Sequence, residues 1–146
     1  MTAGDVRSGG RWHVGRRVLG HRRYPGLAAL ALVNAVAAVG GSWGLASGEL
    51  RLGAQVEARL PWGSTTAGAA ALVLVVAVPN LALAVLAWRG DRRTGAGAVT
   101  AGLLLVAWIL VELAFIRELS FFHPLYVGVG LAMIWLGRRM APPGAP

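Results

Sequence analysis

The chain has 146 residues, of which 56% are hydrophobic and 14% charged, and its formal net charge is +8. A typical soluble domain is about 25% charged, so this chain has too little polar surface to cover a core in water, and a mean hydropathy of +0.62 points to a lipid bilayer as its solvent. Every basic side chain is arginine and cysteine is absent, which excludes disulfides, thiolate metal sites and cysteine nucleophiles.

The chain opens with a basic tail, residues 1–24, carrying Arg7, Arg11, Arg16, Arg17, Arg22 and Arg23. Its scattered glycines and single aromatics show no helical period, so it reads as disordered and apposed to the membrane. The first apolar stretch covers 25–47 and begins at Tyr24-Pro25-Gly26; proline suits the first turn of a helix. Gly40 and Gly44 make a small-xxx-small pair, which lets a second helix approach closely. A basic region, an apolar core and Gly44-Leu45-Ala46 before Ser47 also have the parts of a secretory signal, and the Arg16-Arg17 and Arg22-Arg23 pairs resemble twin-arginine signals. The apolar run is longer than the 7–15 residues usual for a signal core, so the expectation is a retained span.

The loop at 48–64 places Leu52, Val56 and Leu60 four residues apart among Glu49, Arg51, Glu57 and Arg59, with Trp62 after them. That spacing predicts a short amphipathic helix lying in the interface. The second stretch, 65–88, contains Pro79-Asn80, which predicts a kink, because Pro79 leaves the carbonyl of Val75 without its donor. A tight loop at 89–94 leads to the third stretch, 95–116. It opens with Gly95, Gly97 and Gly102 and ends with Trp108, Glu112 and Phe115. The loop that follows is so short that helices 3 and 4 must be antiparallel neighbours. The fourth stretch, 121–137, is the shortest, and 138–146 form a second small tail. Stretches of about 20 residues cross a ~30 Å hydrocarbon core.

With four spans, the N-terminal tail, the 89–94 loop and the C-terminal tail share one side. That side collects Arg89, Arg92, Arg93, Arg138 and Arg139 with the six tail arginines, against Arg51, Arg59 and Arg117 opposite. Basic segments stay cytoplasmic. The expectation is an all-α polytopic protein: a four-helix transmembrane bundle in the plasma membrane, both termini cytoplasmic, with anionic headgroups against its basic face. The same charge on a soluble domain would suggest nucleic acid; here topology accounts for it, and no nucleic-acid partner is expected.

The polar residues inside the stretches are few. Glu112 is an intramembrane carboxylate, a functional candidate by default; it lies about five residues, some 7 Å, from Arg117. On helix 4, His123, Tyr126, Gly130, Met133 and Gly137 recur at three- and four-residue steps and so share one face. If that face meets helix 3, then Glu112, His123 and Tyr126, with Trp108 one turn below Glu112, form a cluster able to relay protons or hold a cationic or hydrogen-bonding ligand. A purely structural clasp between the two helices has the same sequence signature. Asn34 and Asn80 sit about eight residues from the same end of helices 1 and 2, and equal depth predicts a hydrogen bond between them. The nucleophile-elbow, P-loop, zincin and dinucleotide signatures are all missing. Three histidines, two of them in the tail, give no metal spacing. No cofactor, metal or enzymatic activity is expected.

The runs Leu60-Pro61-Trp62-Gly63-Ser64, Val78-Pro79-Asn80, Trp108-Ile109-Leu110-Val111-Glu112 and Ser120-Phe121-Phe122-His123-Pro124-Leu125-Tyr126 together resemble small four-helix integral membrane proteins of actinobacterial type. The resemblance covers 25–137 and implies a fold and a membrane location but no activity. Small multidrug transporters also have four spans, but their essential carboxylate lies in the first helix, where this chain has Asn34; four-span fluoride channels match in size and not in motif. The leading expectation is a non-enzymatic accessory or scaffold protein that packs with itself or a larger membrane partner through its glycine-bearing faces. The alternative is a small transporter or channel built on Glu112, His123 and Tyr126.

Overall fold

Four helices follow one another in the computed structural model, which describes residues 22–50, 64–116 and 120–140. Helix α1 is Pro25–Ser47, α2 is Thr65–Arg89, α3 is Thr94–Ile116 and α4 is Phe122–Met140. No strand occurs among the described residues. Helices α1, α2 and α3 are long and apolar enough to cross a membrane, so this is a membrane protein by length and composition. Helix α4 is less apolar, with His123, Pro124 and Tyr126 in its first turns and Arg138 and Arg139 in its last. The amphipathic segment expected around Leu52, Val56, Leu60 and Trp62 falls outside the described residues, as does most of the N-terminal tail.

Local chemistry sets the ends. Helix α1 starts on Pro25 and stops at Gly48, whose φ of 74° is one that a residue with a side chain rarely adopts. The turn then doubles back, and Leu50 N–H donates to Gly44 O at 2.9 Å. Ser64 caps α2, its hydroxyl accepting from Ala67 N–H at 3.2 Å. At the other end of α2, Gly90 (φ 67°) forms a Schellman turn: Gly90 N–H donates to Ala87 O and Asp91 N–H to Leu86 O. Asp91 then opens α3, its carboxylate accepting from Arg93 N–H at 2.8 Å. Two helix ends are thus completed within a four-residue connection, and α2 and α3 must run antiparallel.

The expected kink at Pro79 takes a specific form. Residues Val73–Ala77 make a π-turn, in which Val78 N–H donates five residues back to Val73 O. The wider turn lies just before the proline and changes the register of α2 where the regular ladder would break. Asn80 uses the opening: its Nδ2 donates to Val76 O at 2.9 Å.

Packing is tightest between α3 and α4. A Cβ placed on Gly102 would lie 2.5 Å from Gly130 O, and one on Gly130 would lie 2.9 Å from Gly102 O. A Cβ on Gly137 would lie 2.5 Å from Gly95 O. The backbones therefore touch at two layers, Gly95/Gly137 and Gly102/Gly130, seven residues apart on each helix. As one number rises the other falls, so the helices are antiparallel. A seven-residue repeat brings the same face round every two turns, and small residues there admit the close approach on which membrane helices rely. Elsewhere the core is mostly alanine and leucine, with Ala31, Ala87, Ala98 and Met133 wholly enclosed. Large apolar side chains such as Val33, Trp43 and Leu74 point outward, as lipid-facing residues do. Exposed aromatics mark both ends, Trp43, Phe121 and Phe122 at one and Trp88 and Trp135 at the other, the placement of interfacial anchors.

Candidate functional site

The two ends of the bundle differ. Among the described residues every arginine (Arg22, Arg23, Arg89, Arg92, Arg93, Arg138 and Arg139) sits at the end where α1 and α3 begin and α2 and α4 finish. Backbone contact fixes this grouping: Tyr24 N–H donates to Ala87 O at 3.0 Å, and Gly137 meets Gly95. At the opposite end a cavity of about 420 Å³ opens between the helices, within the range of small-molecule sites.

All four helices line that cavity. Asn34 and Ala38 come from α1, Leu72 and Val76 from α2, Leu105, Trp108, Ile109 and Glu112 from α3, and Phe122, His123 and Tyr126 from α4. Leu50 and Ser120 complete the wall from the connecting segments. The structure thus gathers Glu112, His123, Tyr126 and Trp108 on one cavity and adds Asn34 to it. Glu112 is half-buried and shares the cavity wall with His123. The buried residues of α4 are His123, Gly130, Met133 and Gly137, with Tyr126 half-buried, the face that the residue spacing selects.

His123 is held by the start of its own helix. Ser120 N–H donates to His123 Nδ1 at 2.9 Å, and His123 N–H donates to Ser120 O at 3.1 Å. The bond to Nδ1 is one half of a capping box, with histidine in place of the usual Glu or Gln, while the return bond uses the serine's backbone carbonyl in place of its hydroxyl. Ser120 O also lies 3.2 Å from Nδ1, so the backbone of Ser120 fixes the orientation of the ring at this nitrogen. The Ser120-x-x-His123 spacing is the signal that would have placed Ser120 in this site from sequence. Phe122 stacks on Tyr126, their ring centroids 6.5 Å apart, and the pair adds an aromatic wall beside the carboxylate.

The glycine layers of α3 and α4 do not reach the cavity. Seven residues beyond Gly102 stands Ile109 and seven before Gly130 stands His123, and both of these larger side chains line the cavity. Among the described residues no three histidines, cysteines or acids gather, and one carboxylate with one imidazole falls short of a metal's usual ligand set.

The asparagines correct the expectation of a bond between them. Asn34 Nδ2 donates to Met133 Sδ at 3.8 Å and ties α1 to α4. Asn80 turns to its own helix at Val76 O, and its Oδ1, wholly buried, has no hydrogen-bond partner. Residue counting gives depth along a helix but not the direction a side chain faces, and the π-turn just before Pro79 resets that direction in α2. The glycine pair of α1 also differs from its expected use: Leu50 fills the space over Gly44, while Gly40 has nothing near it.

Compared with known protein families, with characterised proteins and with solved structures, the chain matches none.

Proposed function

We propose that this chain is a four-span plasma-membrane protein with both termini cytoplasmic, and that it binds and moves a small organic cation through the cavity at the Glu112 end. The observation that carries the reading is the convergence of Glu112, His123, Tyr126, Trp108 and Asn34 on one cavity of about 420 Å³. Three aromatic side chains and one carboxylate suit a cation with an apolar body: rings attract a positive charge over their faces, and Glu112 supplies the single countercharge. His123, fixed by Ser120, offers a proton-exchanging group beside it.

An accessory role through glycine-mediated packing draws less support. Gly102, Gly130 and Gly137 are spent inside the bundle, and Gly44 is covered by Leu50. Gly40 and Gly128 remain open and are the places where a second copy or a larger membrane protein would fit closely.

The deciding measurement is uptake of a fluorescent aromatic cation into proteoliposomes, with binding followed by quenching of tryptophan. Wild-type protein should take up the dye, and Glu112→Gln should lower binding and flux at least tenfold while melting normally in detergent. Flux that is unaltered in Glu112→Gln, or absent from the wild type across a panel of such cations, rejects the proposal. In that case a stable dimer in mild detergent, lost in Gly40→Leu, would favour the accessory role.

A further inference from the structure

A second cavity lies at the basic end, on the outer surface between α1 and α2. It has a volume of about 500 Å³ and lies along Ala28, Ala29, Leu32, Ala84, Trp88 and Arg89. Its floor is shallow because three of these residues are alanines, and Leu32 and Trp88 stand as exposed walls. The Tyr24–Ala87 backbone bond holds the start of α1 against the last turn of α2. Arg22 and Arg23 directly precede Tyr24 and so come at the same end of the bundle as Arg89, which lines the groove; Arg92 and Arg93 stand three and four residues beyond the end of α2. Asp91 is the one acid at this end among the described residues, and its carboxylate is already occupied by Arg93 N–H.

We infer that this groove is a binding site for an anionic phospholipid. One acyl chain lies between α1 and α2 along the alanines, the phosphate sits against Arg89 with Arg22 and Arg23 around it, and Trp88 stands at the glycerol level. Apolar contact alone would accept any lipid chain. The excess of arginine at the mouth favours a headgroup with net negative charge over a zwitterionic one, since basic pockets between helices at a membrane surface hold such headgroups, and guanidinium groups pair with phosphate oxygens in a fork geometry that an ammonium lacks. The site is separate from the cavity around Glu112 and does not depend on what that cavity binds.

Trp88 on the groove wall provides the readout. The full-length protein is placed in bilayers of unbrominated zwitterionic lipid and titrated with lipids brominated on the acyl chain, which quench tryptophan on contact. Brominated phosphatidylglycerol should quench at a mole fraction at least fivefold lower than brominated phosphatidylcholine with the same chains. That preference should vanish in Arg89→Gln combined with Arg22→Gln. Trp43 and Trp135 are exposed as well and should be quenched by both lipids alike; the part of the quenching selective for phosphatidylglycerol should disappear in Trp88→Phe and shrink in Ala29→Phe, which fills the groove and leaves the charge intact. Soluble glycerol phosphate should not compete, because it has no chain to seat; competition would mean a free phosphate site and would overturn the lipid assignment. Equal quenching by the two lipids in wild-type protein also overturns it. So does a preference that survives both Ala29→Phe and Trp88→Phe, which would mark diffuse surface attraction. The comparison of lipids on wild-type protein stands even if a variant fails to fold.

Discussion

The lower and upper halves of the α3–α4 pair use one repeat for opposite ends. Below, Gly95 and Gly102 meet Gly137 and Gly130 with backbone against backbone, so that a single added methyl would strike a carbonyl oxygen. Above, the same positions carry Ile109 and His123, and both line the cavity. Where glycine faces glycine the backbones touch and there is no room for a ligand. Where larger side chains take those places, polar groups gather on the cavity beside them. A seven-residue spacing of small residues thus tells where a membrane bundle is sealed, and the point at which it lapses tells where to look for a site.

The largest effect expected from breaking this contrast is on the sealed half. Gly102→Ala or Gly137→Ala should each destabilise the protein by about 1–3 kcal/mol, as overpacking does, read as a drop in melting temperature in detergent. A methyl tolerated there without loss would mean that the helices are not in backbone contact. The open half should respond in the other currency. Tyr126→Phe and His123→Gln should leave melting nearly unchanged but weaken cation binding several-fold; a fall in stability with binding intact would make these residues a clasp. Smaller still is the effect expected for Asn80→Leu. It removes one hydrogen bond to Val76 O and also one orphaned buried oxygen; the lost bond and the relieved oxygen offset each other, leaving a change within about 1 kcal/mol by thermal unfolding. Gly128→Ala serves as the control on the exposed face, where a Cβ meets nothing. It should stabilise by at most ~1 kcal/mol through helix propensity, and a loss would reveal a partner on that face.

Much of this was legible before the fold was known, because the bilayer makes sequence pattern unusually direct. The apolar stretches, the buried face of α4 and the depth of Glu112 all follow from counting residues along helices that are unbroken in α1, α3 and α4. What counting could not supply was rotation about an axis and the identity of partners. Asn34 and Asn80 lie at similar depth, yet one reaches Met133 on α4 and the other bonds to its own backbone. The glycines of α3 and α4 read as small residues free for any neighbour, whereas their register against each other is a property of two helices at once. Leu50 belongs by sequence to the amphipathic 48–64 segment; its place over Gly44 depends on the reversal after Gly48.

The glycine layers also decide how this molecule can move. They hold the backbones of α3 and α4 against each other toward the basic end, and a connection of only five residues, 117–121, ties the same two helices together at the other. Pinned at both ends, α3 and α4 behave as one stiff unit that carries Glu112 and His123 together. Any widening of the space around a ligand therefore falls to α1 and α2, which form the rest of the cavity wall.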